Sequence, residues 1–151
     1  MRIFIFLLSL GLFAPAGAAQ VRSLTLTDLC TNADRVVVGG VNKVESRWQG
    51  SKIVTDVTIA PTENLKGQGN LPFVLTIPGG TVGGVSLRAS EAPAFTVSEH
   101  VVLFVKTGPS PCGVYGWYRG KYTVVNGNVR ELSNTTFEQF RSQLEQIIEN
   151  L

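Results

Sequence analysis

The apolar run Ile3–Phe13 decides how much of this chain is left to fold. One positive charge, Arg2, precedes it, and the small-residue string Ala14-Pro15-Ala16-Gly17-Ala18-Ala19 follows it. A charged start, an apolar middle and small residues at a cut site are the parts of a secretory signal peptide. The apolar core, about 11 residues, falls short of the roughly 20 that a membrane-spanning helix needs. Pro15 and Gly17 also break it. Cleavage is expected after Ala19, with Ala18 as the alternative, giving a signal over residues 1–19 and a mature chain over 20–151. A lipid anchor would need a cysteine at the cut, and the first cysteine is Cys30. The expected location is the periplasm or outside the cell, with no membrane attachment once the signal is gone.

The mature part, about 130 residues, has the size of one domain with one sizeable core. The whole chain carries a formal charge of only +2, and Arg2 leaves with the signal. Proteins that hold nucleic acid usually show a stronger basic excess, so no nucleic-acid partner is expected.

Two cysteines, Cys30 and Cys112, remain. In an exported chain an even count predicts a disulfide, worth about 4 kcal/mol in the chain-entropy model for so long a loop. The alternatives are two buried free thiols or a redox pair, although no C-x-x-C is present. A zinc site is not expected: two Cys and His100 fall short of four ligands, and H-E-x-x-H is absent.

Ser23 to Asn32 reads as a short helix, with Thr25 as cap, Asp28 three residues on, and Leu26, Leu29 and Cys30 facing inward. Arg35 to Trp48 and Lys52 to Ala60 read as a hairpin turning at Gln49-Gly50-Ser51. Ile53, Thr55, Val57 and Ile59 alternate with Val54, Asp56, Thr58 and Ala60, the period of a strand. Gly39-Gly40 predicts a bulge or sharp coil in the first arm. After a loop over Asn64 to Asn70, Leu71 to Ile77 is a third strand. Pro78 to Ser98 reads as a long irregular segment with room for a brief strand at Val85-Ser86-Leu87. Loops of this length are often functional; a glycine-rich crossover is the plainer reading.

His100 to Lys106 is strongly apolar and predicts a central strand. Val114 to Arg119 and Lys121 to Val125 follow as strands, then a turn at Asn126-Gly127-Asn128. The last element is a helix, boxed by Thr135 and Glu138, with Phe137, Phe140, Leu144, Ile147, Ile148 and Leu151 on one apolar stripe. No βαβ alternation is present, so a parallel sheet is not expected. The expected class is mainly β: a small, coiled antiparallel barrel, closed or partly open, with a short N-terminal helix and a C-terminal amphipathic helix.

Leu29-Cys30 through Ala33-Asp34-Arg35-Val36-Val37-Val38-Gly39 resembles the start of netrin-like domains, the OB-type barrels of tissue inhibitors of metalloproteinases. Val57-Thr58-Ile59 with Leu65-Lys66-Gly67, and Glu99-His100-Val101-Val102-Leu103-Phe104-Val105, resemble two further pieces of that frame. The chain is similar also to a group of uncharacterised exported bacterial proteins. They share Ile77-Pro78-Gly79-Gly80 and Ala92-Pro93-Ala94-Phe95. The resemblance covers about Ser23 to Val125 and implies an OB-like fold. It does not carry the inhibitors' zinc chelation, because that needs a cysteine α-amine at the mature N-terminus and Cys30 lies inside the chain. Ser98 stands where the shared pattern has Gly.

Catalysis is not expected. A nucleophilic triad needs a base, and the single histidine, His100, sits at the edge of an apolar strand with no G-x-S-x-G in the chain. Paired carboxylates are not suggested by the scattered Asp56, Glu91 and Glu99. The string Gly79-Gly80-Thr81-Val82-Gly83-Gly84 lacks the Lys-Ser/Thr and helix of a phosphate loop, and no cofactor is expected. Two binding readings remain. In the first, a protein partner, with an exported peptidase as the suggested class, is held by the loop carrying Gly79, Gly80, Thr81, Gly83 and Gly84 and by the hairpin tip near Trp48. In the second, a glycan or small ligand stacks on Tyr115, Trp117 and Arg119, which share one face if their segment is a strand.

Overall fold

The computed structural model describes residues 23–108 and 112–151. The expected signal peptide lies outside the described residues. Helix α1 (Leu26–Asn32) opens the fold and is boxed as its sequence predicts: Asp28 N–H donates to the Thr25 hydroxyl and Thr25 N–H to the Asp28 carboxylate. A long hairpin follows, β1 (Arg35–Gln49) and β2 (Lys52–Lys66), then β3 (Phe73–Pro78). Strands β4 (Gly80–Val82) and β5 (Val85–Leu87) form a separate two-stranded hairpin. The remaining elements are β6 (His100–Lys106), β7 (Gly113–Val114), a 3₁₀ turn (Trp117–Gly120), β8 (Lys121–Val125), β9 (Asn128–Val129) and α2 (Phe137–Glu149).

The main sheet is antiparallel, in the order β3-β2-β1-β6-β8-β9, with β7 also on β6. The predicted central strand is central: Val101 to Val105 are fully buried, with β1 on one side and β8 on the other. Its residues alternate between two cores. Val102 and Phe104, with Val36 and Val38 of β1, pack under the helices against Leu29, Cys30, Phe140 and Leu144. Val101, Leu103 and Val105, with Val37, pack on the other face against Val57, Ile59 and Leu75. A strand buried on both faces cannot alternate apolar with polar, which is why β6 reads as a continuous apolar run.

Gly39 lies at a register shift between β1 and β2. A Cβ there would stand 2.5 Å from the Ala60 carbonyl oxygen, so the predicted coil needs glycine for close approach.

Several expectations are corrected. The sheet does not close into a barrel; between its β3 side and β7 the structure has a bond from Thr76 N–H to the Cys112 carbonyl at 3.1 Å, not a ladder. Cys30 and Cys112 are not bonded to each other. Cys30 sits in the core under the helices and Cys112 packs against the core of the opposite face, so the sheet stands between the thiols. Pro78 to Ser98 holds the β4–β5 hairpin and is not wholly irregular. The strand expected over Val114 to Arg119 ends at Val114. The box of α2 is Thr136 with Gln139, one residue beyond the expected pair. The stripe is otherwise as read, except that Leu151 is exposed. No helix among the described residues is long and apolar enough to cross a membrane.

Candidate functional site

The β4–β5 hairpin folds over the far half of the β1–β2 hairpin. On β1 the residues Val44, Ser46 and Trp48 stand opposite Val57, Thr55 and Ile53 of β2. Side chains two apart share a face, so this row continues the face of the second core towards the hairpin tip. Ser46 and Thr55 interrupt it with two hydroxyls, hydrogen-bonded to each other at 2.9 Å.

Those hydroxyls dock the glycine string. Thr55 Oγ1 donates to the Gly79 carbonyl at 2.7 Å, Gly79 N–H donates to the Ile53 carbonyl at 2.9 Å, and Thr81 N–H reaches Ser46 Oγ at 3.4 Å. Gly80 has φ +135°, and a Cβ on it would stand 2.5 Å from Thr55 Oγ1 and 2.9 Å from Ser46 Cβ. No other residue fits that conformation and that space. Gly83 and Gly84, at φ +55° and +79°, form the two-residue turn, in the positive-φ conformation that tight hairpins favour.

Between this hairpin, residues 88–95 and the sheet lies a groove of about 630 Å³. Val44, Ser46, Thr55, Leu87, Arg88 and Phe95 are among the residues that line it, as do Gly79 and Gly80. Large apolar side chains remain half-exposed nearby: Val85 at 51%, Leu87 at 46% and, towards the β1–β2 tip, Trp48 at 48%. Because a two-residue turn makes Val82 and Val85 the closing pair of the ladder, the main-chain groups of Ser86 point away from β4. No further strand among the described residues pairs with that edge.

The structure therefore gathers one predicted set into a single hairpin and removes the strand face expected for the other. Gly79, Gly80, Thr81, Gly83 and Gly84 form one hairpin, and Trp48 lies on the strand beneath it. Tyr115, Trp117 and Arg119 do not share a strand face. Gly116 turns at φ +77°, pressed so closely on α1 that a Cβ would meet Leu29 Cδ2 at 2.7 Å. Tyr115 packs against the core under the helices and Trp117, at φ +56°, is 52% exposed; both line a separate cavity of about 480 Å³. Arg119 lies along its neighbour, Nε donating to Tyr118 Oη at 3.1 Å. That bond holds the Arg119 guanidinium above its ordinary pKa.

Ser46, Thr55, Arg88 and Phe95 of the groove escape a sequence reading. The available signal is the pair of hydroxyls at inward positions, which predicts an inward partner to bond them. The acidic candidates are dispersed. Asp56 is tied to Arg47 at 2.5 Å and to Thr76 at 2.8 Å, and chiefly the Arg47 bond lowers its pKa. Glu99 is tied to Lys121 at 2.8 Å. The His100 ring packs at a tilt against Phe137, with ring centroids 5.7 Å apart. Among the described residues no group of three or more His, Cys, Asp or Glu side chains could hold a metal ion.

A comparison with protein-family models finds no match, and a comparison with curated proteins finds none either.

Proposed function

We propose that this chain is an exported, non-catalytic recognition module that holds an extended segment of a protein partner in the groove beneath the β4–β5 hairpin. One observation carries the reading: an apolar-rimmed groove runs beside a strand edge whose Ser86 main-chain groups face outward. An extended peptide on that edge would gain main-chain hydrogen bonds, with alternate side chains entering the groove. Leu87 and Phe95 offer apolar contact there, and Arg88 offers a charge for an acidic residue or a C-terminal carboxylate. The signal-like start supports export. The netrin-like resemblance supports an exported peptidase as the partner class and a partly open OB-like barrel as the fold, the Thr76–Cys112 bond being the point where such a barrel would close.

The glycan reading on Tyr115, Trp117 and Arg119 has less support: Tyr115 and Trp117 line one cavity, but the segment is a 3₁₀ turn and offers no strand face for stacking.

A photo-crosslinking residue at position 87, and separately at 117, tests the proposal in the exported protein mixture of the source cell. The expected result is a discrete protein adduct from position 87 that a Gly80→Val variant no longer forms. Adducts from position 117 alone would overturn it.

A further inference from the structure

On the same face of the sheet as the groove, but beyond the segment Ala92–Phe95, lies a second, polar cavity of about 380 Å³. Its walls come from β8, the start of the Arg130-Glu131 turn, the 3₁₀ turn and residues 93–96. Lys121 anchors the dividing segment. Its ammonium donates to the Ala94 carbonyl at 2.6 Å and to Glu99 Oε2 at 2.8 Å, and lies 4.8 Å from the centre of the Phe95 ring. Thr123 joins the cavity to the turn: Arg130 N–H donates to its carbonyl at 2.9 Å, and its own N–H donates to Glu131 Oε2 at 2.7 Å.

Thr123 is 1% exposed, and its hydroxyl has no hydrogen-bond partner. A buried hydroxyl without a partner is costly and uncommon. Beside it are acceptors with capacity to spare. Glu99 Oε1 has only Arg130 at 3.7 Å, and the Glu131 bond to Thr123 uses Oε2. Arg130 supplies donors at the mouth, and the Tyr118 ring, 47% exposed, forms a side wall. Two carboxylates and two cations cancel, so the lining favours no net charge on a ligand.

We infer that this cavity binds a neutral polyhydroxylated ligand, a single sugar residue, with Thr123, Glu99, Glu131 and Arg130 exchanging hydrogen bonds with its hydroxyls and Tyr118 stacked against its apolar face. Hydroxyls both donate and accept, and so satisfy an orphan threonine, spare carboxylate oxygens and a guanidinium at once. The volume lies within the range of small-molecule sites. The proposal is independent of the peptide groove.

The test is a titration of the isotope-labelled protein, followed by amide NMR, with methyl glucoside, methyl galactoside, methyl N-acetylglucosaminide and, for comparison, free glycine. At least one glycoside should shift the amides of Tyr118, Thr123, Arg130 and Glu131 while leaving those of Val85 and Leu87 in place. Thr123→Val and Arg130→Ala should each weaken that binding about tenfold, the equivalent of one lost hydrogen bond to a charged or buried group. Arg130 is exposed, so its variant remains informative if Thr123→Val folds poorly. Overturning results are shifts with glycine and none with glycosides, no shifts at all up to the solubility of the glycosides, or an affinity in both variants unchanged from that of the native protein.

Discussion

The Lys66 ammonium donates to the carbonyl oxygen of Cys30 at 2.6 Å, and also to those of Thr31 at 3.1 Å and Ala33 at 2.8 Å. The last carbonyls of a helix have no intrahelical partner, and a cation at that end is favoured by the negative pole of the helix dipole. One side chain from the end of β2 thus closes the C-terminus of α1. Lys66→Met keeps the stem and removes the donors. It should destabilise the fold by about 1.5–3 kcal/mol, the worth of hydrogen bonds to a charged group. The measurement is urea unfolding, with faster hydrogen exchange in α1 as the local sign. An unchanged midpoint would count against this role.

The same contact shows what the string Leu65-Lys66-Gly67 does physically. Leu65 packs on the core under the helices, Lys66 caps α1, and Gly67 at φ +79° has no room for a Cβ against the Asp34 carbonyl at 2.8 Å. Those partners lie far apart in sequence, 36 residues for Lys66 and Cys30, so the string alone does not announce them. The Thr25–Asp28 box was legible because its partners are three residues apart. That the two cysteines stay apart was not legible. Counting cysteines says nothing of the sheet that places Cys30 and Cys112 on opposite faces. Nor does alternation over Tyr115, Trp117 and Arg119 reveal that Gly116 turns the chain against Leu29, a residue far away in sequence. The glycine string marked one part of the groove, while Ser46 and Thr55, which dock that string, were visible only once β1 and β2 were in register.

Both thiols should therefore alkylate without prior reduction once the purified protein is unfolded, and a reductant should leave the melting temperature unchanged. In the native protein Cys112 should react first. Burial pushes the Cys30 thiol above its ordinary pKa, an effect only partly offset by Lys66, and the thiolate is the reacting form. Intact mass after timed alkylation reads both outcomes, and a mass that gains no label until reduction would contradict the structure.

Asp34 ties the end of β6 to the turn after α1. Its carboxylate accepts from Lys106 Nζ at 2.7 Å and from the hydroxyl and N–H of Thr107 at 2.7 and 2.8 Å. These bonds, Lys106 first, lower its pKa from 3.8 to about 2. A carboxyl depressed in the fold contributes stability above its unfolded pKa and loses it as pH falls through the folded value. The stability difference between the native protein and Asp34→Asn should thus be full at neutral pH. It should shrink as pH drops from about 4 to about 2. A carboxyl resonance titrating near its ordinary value would refute the assignment.

Gly80 and Gly83 separate steric fit from backbone conformation. Both have positive φ, but nothing lies within 4 Å of a Cβ on Gly83, whereas Thr55 and Ser46 fill that space at Gly80. Gly83→Ala should cost about 1–2 kcal/mol, the left-handed penalty alone. Gly80→Ala should cost more and should free the Gly79 and Thr81 amides to exchange, because the hairpin must lift from the sheet. Equal costs in thermal unfolding would mean that the docking contacts are weak.

Ser98 has φ +71°, and its N–H donates to the Val41 carbonyl at 2.8 Å. A non-glycine residue in that region is strained by about 1–2 kcal/mol. Glycine relieves the strain but loses more chain entropy on folding, by about 0.5–1 kcal/mol. The balance favours Ser98→Gly by about 0.5–1 kcal/mol. Because the Val41 bond uses only the main chain, the substitution leaves it intact. The gain should therefore appear as a higher urea midpoint with an unchanged slope, since compactness is not altered. A lower midpoint would mean that the Ser98 side chain contributes more than its backbone conformation costs.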